Sequence, residues 1–185
     1  MEYQLQVANL TRQLPIIPID SKTAIASFVL LGDDELSYAA AKALQPKLPT
    51  EFDYLVTMES KGIPLAHDLG LLTNHPHSVV LRKSVKGYMD HPLKTVVNSI
   101  TTHHPQELVL NGNDEKLLQN KRVIIVDDVI STGSSMEAAE SLLKQIGVKV
   151  VTKVAILAEG AAVNRSDITY LARLPLFNHD GSLKK

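Results

Sequence analysis

Residues 123–135 read VIIVDDVISTGSS, and this stretch decides the fold. The four β-branched residues from Val123 to Val126 are typical of a strand covered on both faces, as in a parallel sheet. Asp127 and Asp128 follow, and we predict that they emerge at the carboxyl end of this strand. Ligands of open α/β sheets bind at that end, where carboxylates can accept hydrogen bonds from the hydroxyls of a sugar.

The turn after this strand has the composition of an anion site. Its residues are Ser131, Thr132, Gly133, Ser134 and Ser135. Glycine permits a tight turn, and the backbone N–H groups and small hydroxyls can donate to phosphate oxygens. A helix is predicted next, with Ser134 and Glu137 at the spacing of a capping box. A phosphate would then lie on a helix N-terminus, whereas either half of the motif alone favours an ordinary βα turn.

Composition limits the classes of protein to consider. With 185 residues, 44% of them hydrophobic, the chain fits a single domain over residues 1–185. A net charge of −1 gives no basic surface for nucleic acid or an acidic membrane, and the absence of cysteine excludes a thiolate nucleophile. The first residues lack a signal pattern, and no apolar run is long enough to cross a bilayer. We expect a soluble, cytoplasmic protein with no nucleic-acid or membrane partner.

The order of apolar segments predicts repeated βαβ units. We predict a helix capped by Asp33 or Asp34 and ended near Pro46, and a second helix from Pro64 to about Leu72. Predicted strands are 54–58, 78–81, 108–110, 123–126, 148–157 and 169–171, with a turn at 111–114 and short strands within residues 1–32. This alternation predicts an α/β fold with a doubly wound, mainly parallel sheet flanked by helices.

A second loop has the same arrangement as the first, between a predicted strand and a predicted helix. Glu59, Ser60, Lys61 and Gly62 follow a predicted strand and directly precede a helix. Backbone donors and one ammonium group suit a diphosphate. Arg82 and Lys83 end the next strand, which brings two more cations to the same edge of the sheet. Each signal alone is weak, and their convergence supports a diphosphate site.

The segment after these cations is irregular. It contains glycine, prolines and histidines, and only residues 95–100 are plausible as a strand. Long irregular segments in compact domains are often lids.

Together these motifs resemble the type I phosphoribosyltransferase family, and in particular its adenine and xanthine enzymes. VIIVDDVISTGSS resembles the motif for 5-phosphoribosyl 1-diphosphate (PRPP), ESKGIPLA the diphosphate loop, and VVLRKS the strand that follows it. The resemblance implies the type I fold with a small N-terminal hood (residues 1–32) and a flexible lid (residues 84–104). It also implies a homodimer.

The resemblance implies a reaction as well. A purine base would displace diphosphate from PRPP with the help of Mg²⁺, giving a nucleoside monophosphate in purine salvage. Asp127 and Asp128 would hold the ribose hydroxyls, directly or through water and Mg²⁺, and stabilise positive charge on the ribosyl group. The loop 131–135 would bind the 5′-phosphate, and the loop 59–62 with Arg82 and Lys83 would bind the diphosphate. The lid has no glutamate before Glu107, so the general base stays unassigned, with Asp90 and His91 as candidates.

The family hood covers the base, which points to the region from Ile25 to Leu31. Within it the candidates are Phe28, Val29 and Leu30, with Phe28 either stacking on a purine or packing in the core. Xanthine enzymes of the family carry polar residues where this chain has Leu30 and Gly160. Adenine is therefore favoured, although ESKG and the lid depart from the usual adenine pattern, and another base stays an alternative.

Two other classes remain as alternatives. A PRPP-sensing regulator of the same fold would need a DNA-binding part, but the residues before the first core strand contain no basic recognition helix. A metal-dependent hydrolase would need ligands such as His75 and His77 or His103 and His104, and their spacing is poor for a helical ligand pair.

Overall fold

The computed structural model describes residues 1–97 and 106–184, which form fifteen helices and strands joined by short connections. In chain order they are β1 (Glu2–Val7), β2 (Leu10–Pro18), β3 (Thr23–Ala26), α1 (Asp34–Leu44), β4 (Tyr54–Met58), α2 (Ile63–Leu72), β5 (Ser78–Leu81), β6 (Leu93–Val97), β7 (Gln106–Leu110), α3 (Gly112–Leu118), β8 (Arg122–Ile130), α4 (Ser134–Lys144), β9 (Lys149–Glu159), β10 (Ile168–Leu174) and β11 (Leu176–Asn178). Short 3₁₀ turns follow α1 at Gln45–Lys47 and β9 at Gly160–Asn164.

The central sheet has the strand order β10-β9-β8-β4-β5, and all neighbouring pairs are parallel. The chain enters at β4, moves outward to β5, and then returns to the other side of β4 as β8. The strand order therefore reverses between β4 and β8. In open α/β sheets this topological switch point is where a crevice opens at the carboxyl ends of the strands, and ligands bind there.

Strand β8 is buried on both faces, as its β-branched sequence predicts. Ile124 and Val126 pack into the core beneath α1 and α2, whereas Val123 and Ile125 pack into the core beneath α4. This alternation is the period-2 pattern of a strand between two helical layers. The predicted doubly wound architecture is confirmed.

The helices cover the sheet with their apolar faces. In α1 the buried residues include Leu36, Ala40 and Leu44, and the Asp33 side chain caps the helix by accepting a hydrogen bond from the Leu36 N–H at 3.1 Å. Pro64 lies in the first turn of α2, where its missing N–H leaves no intrahelical bond unmade. Across the described part of the chain, no helix is both long and apolar enough to cross a bilayer.

A small antiparallel sheet of order β1-β2-β3-β11 stands beside the main sheet. Its first three strands come from residues 1–32, the region that the sequence assigns to a hood. The last strand comes from the C-terminal end and was not predicted. Leu5, Leu14, Ala26 and Phe177 face inward and join the core shared with α1 and α2. The small sheet is thus bound to the main sheet by common apolar packing.

The segment assigned to a lid contains β6, which is one strand of a two-stranded antiparallel ribbon. Strand β6 pairs with β7 in antiparallel register, from Leu93 opposite Leu110 to Val97 opposite Gln106. Residues 98–104 of the predicted lid, and 98–100 of the strand predicted at 95–100, lie outside the described residues. The ribbon is joined to the main sheet where Arg82, just after β5, exchanges backbone hydrogen bonds of 2.9 and 2.8 Å with Val109.

Three local predictions are wrong. Residues 111–114 form the beginning of α3 rather than a turn, because docking of the fully buried Leu118 outweighs the turn preference of the sequence NGND. Ser134 and Glu137 form no capping box, since Gly133 occupies the N-cap position without a side-chain cap. Asp127 and Asp128 lie within β8 rather than after it, because pairing with β9 continues to Ile130 while pairing with β4 ends at Val126.

Phe28 and Val29 are neighbours in the hood but differ in burial, and this difference allows a test of the packing. Phe28 is 6% exposed within the core, whereas Val29 is 55% exposed. We expect Phe28→Ala to lower the free energy of unfolding by about 3–5 kcal/mol, as for other buried aromatic residues. The matched Val29→Ala change should alter it by less than about 0.5 kcal/mol. Chemical denaturation of both variants measures the difference, and equal stabilities would contradict this packing of Phe28.

Candidate active site

The switch point between β4 and β8 contains a pocket of about 430 Å³. Both loops that the sequence singled out reach it, because β4 and β8 are adjacent and parallel and end at the same edge of the sheet. The pocket is lined by Leu31, Met58, Glu59, Ser60, Lys61, Lys83, Leu108, Asp127, Asp128, Val129 and Ser135. Residues from the hood, the ribbon and the two predicted anion-binding loops therefore meet in one place. We call residues 59–62 the diphosphate loop and residues 131–135 the phosphate loop, after their predicted ligands.

The two aspartates of β8 differ in their surroundings. Asp128 is 2% exposed, and its Oδ2 atom has no hydrogen-bond partner among the described residues. The Lys61 ammonium lies 3.4 Å from that oxygen, so the contact is ionic but lacks the geometry of a hydrogen bond. Asp127 accepts a hydrogen bond from the Asp128 backbone N–H at 2.9 Å. A buried carboxylate with so few protein partners is costly for the fold and is prepared to bind donors or a cation.

Burial raises the pKa of the Asp127 carboxyl well above its usual range, and the neighbouring Asp128 carboxylate raises it further. The Asp128 N–H and the Lys61 ammonium act in the opposite direction but are weaker. Two adjacent carboxyl groups in a poorly solvated place cannot both ionise easily. The free protein therefore favours a proton on Asp127, which a bound cation would displace.

The diphosphate loop packs against β8 through a glycine. A Cβ atom on Gly62 would lie 2.5 Å from Thr57 Oγ1 and 2.9 Å from the Asp127 Cα, so any larger residue would force the loop away. The peptide bond between Glu59 and Ser60 is cis. Thr57 Oγ1 is buried and accepts or donates no hydrogen bond within the part of the chain that the structure describes. The loop thus brings Lys61 and its backbone directly over the acidic pair.

The carboxylate of Glu59 organises the cationic end of β5. It accepts hydrogen bonds from the Lys83 backbone N–H at 3.0 Å and from Arg82 Nε at 3.2 Å, and these bonds hold the pKa of Glu59 below its usual value. Arg82 also donates to the Tyr88 hydroxyl at 2.9 Å. Of the two predicted cations, Lys83 lines the pocket, whereas the Arg82 guanidinium is held by Glu59 and Tyr88.

The phosphate loop joins β8 to α4. Gly133 has φ +82°, a left-handed conformation that suits glycine, and α4 begins at the next residue. Ser131, Thr132 and Ser135 are exposed, and the Thr132 and Ser134 hydroxyls lie 3.1 Å apart. The Arg165 guanidinium packs on Gly133, where a Cβ atom would collide with its Nη1. The loop presents hydroxyls and the first N–H groups of a helix, as an anion site requires.

The hood residues occupy different positions from those a stacking role would require. Phe28 and Leu30 are buried in the core, and Val29 is exposed but does not line the pocket. The pocket is instead lined by Leu31, the last residue of the predicted region 25–31, which is 46% exposed. Alternation along the chain places Leu31 on the opposite side from Leu30.

The candidates for a general base lie on the ribbon side. His91 Nδ1 and Asp90 Oδ1 are 2.5 Å apart and both side chains are exposed. The Asp90 backbone N–H donates to Asn111 Oδ1 at 3.1 Å, which holds this pair at the beginning of α3. Neither residue lines the pocket, so their assignment stays a prediction.

One further carboxyl group was missed from the sequence. Glu159 ends β9, next to β8, and burial raises its pKa while Lys61 opposes this effect. Glu159 directly precedes Gly160, which the comparison with the xanthine enzymes singled out, but it was given no role. Arg165 belongs to no recognisable motif, and the turn after β9 reveals its position.

The described residues contain no group of three or more metal-ligating side chains, yet the acidic pair fits Mg²⁺. Mg²⁺ is usually held by one or two carboxylates together with waters and substrate phosphates. The partnerless Oδ2 of Asp128 supplies a hard oxygen ligand of that kind. Asp127 and Asp128 are thus the residues that would hold it.

Fold and site together define an α/β protein that presents anion loops and an acidic pair at the switch point of a parallel sheet. Residues 34–173 match the family described as phosphoribosyl transferase domain. The chain belongs to this family, which confirms the resemblance.

Several relatives of similar sequence are described as hypoxanthine/guanine phosphoribosyltransferases. A Methanobacterium lacus protein described as hypoxanthine/guanine phosphoribosyltransferase is 32% identical over 136 residues, covering 74% of this chain and 67% of the relative. A Methanothrix thermoacetophila protein with the same description is 33% identical over 62% of this chain, which spans 56% of that relative. An HGPRTase-like protein 3 of Haloterrigena turkmenica is 31% identical over 82% of this chain and 80% of its own length.

Solved structures share the fold. Adenine phosphoribosyltransferase from Thermoanaerobacter pseudethanolicus matches with a TM-score of 0.63 and 20% identity, covering 78% of this chain and 84% of the other. The enzyme from Trypanosoma brucei, solved with AMP, pyrophosphate and ribose-5-phosphate, has a TM-score of 0.60 at 20% identity, over 78% and 67% of the two chains. At this identity the likeness establishes the common fold.

The raised pKa of Asp127 predicts how stability depends on pH. The folded protein holds this proton to a higher pH than the unfolded chain does, so the free energy of unfolding falls as pH rises from the ordinary to the raised pKa. Asp127→Asn keeps an oxygen that can accept the hydrogen bond from the Asp128 N–H. Because asparagine does not titrate, the variant does not lose this part of the free energy of unfolding as pH rises. We expect the variant to gain stability over the wild type with rising pH, by about 1.4 kcal/mol for each unit of the shift.

Thermal unfolding from pH 4 to pH 9, without Mg²⁺, measures this difference. Asp180→Asn is the control, because Asp180 is fully exposed and its pKa is lowered rather than raised. A stability difference between Asp127→Asn and the wild type that does not change with pH would show that Asp127 titrates normally.

Proposed function

We propose that this protein is a purine phosphoribosyltransferase that transfers the 5-phosphoribosyl group of PRPP to a purine base and releases diphosphate. The observation that carries the proposal is the pocket at the switch point, where the acidic pair of β8 lies between the diphosphate loop after β4 and the phosphate loop before α4. The separation of the two anion loops by a pair of carboxylates matches the order of groups in PRPP: phosphate, ribose, diphosphate.

The phosphate loop binds the 5′-phosphate. The N–H groups at the beginning of α4 and the hydroxyls of Thr132, Ser134 and Ser135 donate to its oxygens. The loop supplies no cationic side chain of its own, so the helix terminus provides most of the attraction.

The acidic pair binds the ribose and stabilises the transition state. Departure of diphosphate leaves positive charge on the ribosyl ring, and the carboxylates of Asp127 and Asp128 lie where that charge develops. Asp127 and Asp128 would hold Mg²⁺, which would supply positive charge to the substrate oxygens. Asp127 would then be ionised, because a nearby cation favours the charged form of a carboxyl group.

The leaving diphosphate is held on the other side of the pocket. Lys61 contributes an ammonium that is 47% exposed and therefore retains freedom to leave Asp128 for the substrate. Lys83 supplies a second positive charge. Arg82 joins them if the diphosphate replaces Glu59 or Tyr88 as the partner of its guanidinium. The β6–β7 ribbon, joined to the sheet through Arg82 and Val109, acts as the lid that excludes water.

Two acceptor bases are supported by different observations. Adenine is favoured by the apolar Leu31 and Val129 that line the pocket. Hypoxanthine and guanine are favoured by the descriptions of the relatives at 31–33% identity. Assembly as a homodimer and residence in the cytoplasm stay predictions, the first of which sedimentation analysis tests.

The proposed reaction is tested by supplying the purified protein with PRPP and Mg²⁺ and one base at a time. The bases are adenine, hypoxanthine, guanine, xanthine, uracil and orotate. We expect release of diphosphate and formation of the monophosphate with at least one of the first three, and none with the pyrimidines. Binding of PRPP without turnover of any base would support the regulatory alternative, and absence of PRPP binding would exclude both.

The role of the acidic pair is tested by Asp128→Asn. Loss of one buried negative charge beside the ribosyl group should raise the activation free energy by about 2–4 kcal/mol, which corresponds to a loss in kcat of roughly 30-fold to 1000-fold. Asp180→Asn, an exposed change of the same kind, is the control. Circular dichroism verifies the fold, and an active Asp128→Asn protein would contradict the assigned role.

A further inference from the structure

A charged network outside the pocket reaches the phosphate loop. Arg165 lies between the 3₁₀ turn after β9 and the beginning of β10, far along the chain from Gly133. Its guanidinium nevertheless packs on Gly133, in the space that a side chain would occupy there. The guanidinium also donates from Nη1 to Glu137 Oε1 at 2.9 Å. Arg165 is therefore a cation at the edge of a loop that has no cationic side chain of its own.

Glu137 creates an electrostatic problem for a phosphate. It lies in the first turn of α4, and its Oε1 would be 3.7 Å from a Cβ atom on Gly133, so its carboxylate stands beside the phosphate loop. A carboxylate in this position benefits from the partial positive charge of the helix N-terminus, which is the same charge that a phosphate would use. Without compensation, Glu137 would repel a dianion bound to the loop.

The position of Arg165 is fixed by a second carboxylate. Asp167 accepts hydrogen bonds from Arg165 Nε at 2.9 Å and from Nη2 at 2.8 Å, in a bidentate arrangement. Asp167 also accepts from Lys153 Nζ at 2.9 Å, and Lys153, which is 6% exposed, pairs with Glu140 at 2.6 Å. The bonds to Arg165 and Lys153 hold the pKa of Asp167 far below its usual range, so this anchor stays ionised.

This network separates two roles. Lys153 of β9 and Glu140 of α4 already join the strand to the helix without Arg165. The contact between Arg165 and Glu137 is therefore not needed to attach α4, and it lies at the end of the helix where the phosphate would bind. The physical effect of the contact between Arg165 and Glu137 is that the positive charge of Arg165 compensates the negative charge of Glu137.

We propose that Arg165 is a positioning residue for the 5′-phosphate, which neutralises Glu137 and holds the loop around Gly133 so that the helix N-terminus remains free to attract the dianion. This inference rests on the proposed function. Arg165 acts through Glu137 and the loop, so it should affect binding of the phosphate end of the substrate more than the chemistry at the ribose.

A double-mutant cycle tests the proposal. Titration calorimetry with ribose 5-phosphate measures affinity for the wild type, Arg165→Gln, Glu137→Gln and the double variant. We expect Arg165→Gln to weaken binding at least tenfold, and the double variant to recover most of that loss because the uncompensated carboxylate has also gone. Glu137→Gln alone should bind as well as the wild type or better. Lys144→Gln, which removes an exposed cation from the other end of α4, should have no effect.

Kinetics and salt provide two further measurements. The KM for PRPP should rise in Arg165→Gln with little change in kcat, and Arg165→Lys should restore part of the affinity. The effect should shrink at high ionic strength, because Glu137 is largely exposed and its charge is screened.

The possible failures are distinguishable. If the wild type does not bind ribose 5-phosphate, the proposed function falls. If the wild type binds and Arg165→Gln binds equally well, or the double variant is as weak as Arg165→Gln, only this inference falls. Should the Arg165 variants not fold, Glu137→Gln still decides, since reduced phosphate affinity in that variant would contradict charge compensation.

Discussion

The placement of two adjacent carboxyl groups within β8, one half-buried and the other almost fully buried, is the constraint on which the rest of this structure depends. Asp128 is almost wholly enclosed with one oxygen lacking a hydrogen bond, and burial with a like charge raises the pKa of Asp127. Such an arrangement weakens the free protein, and the folded state tolerates it because two apolar cores hold β8 from both sides. Because these carboxylates have few partners in the free protein, binding of a cation or of hydroxyl donors releases more free energy here than at an ordinary exposed surface.

The topology of the sheet converts this constraint into a site. Because the strand order reverses between β4 and β8, the loops after these strands leave on opposite faces and open a crevice over the acidic pair. The main-chain pairing of β8 continues with β9 beyond the point where pairing with β4 ends. The acidic pair therefore stays paired on the side of β9, while on the side of β4 Gly62 and Lys61 lie against it. A ligand can enter where the pairing has ended.

Much of this arrangement could be predicted from the sequence, and what could not has physical reasons. Strands β4 and β5 have the predicted bounds, since a short apolar run between turn residues leaves little choice. The beginning of α3 could not be predicted, because NGND favours a turn until Leu118 finds a place in the core. The positions of Phe28 and Leu31 depend on which face of one extended segment turns inward. Arg165 carries no local signal at all, and only the return of the chain after β9 brings it to Gly133.

The two anion loops are connected to the acidic pair by backbone rather than by flexible side chains. A single added carbon on Gly62 would reach the Cα of Asp127, so the diphosphate loop rests directly on β8. The phosphate loop directly continues β8, and α4 begins at Ser134, four residues after Ile130, the last residue of β8. The distance between the two loops is consequently set by strand geometry, which varies little. On the proposed function, a substrate with anionic groups at both ends of a pentose would have to match that distance, whereas a shorter anion such as free diphosphate would contact one loop. Selection of the substrate by its length would then follow from the close packing at Gly62, with charge contributing the affinity.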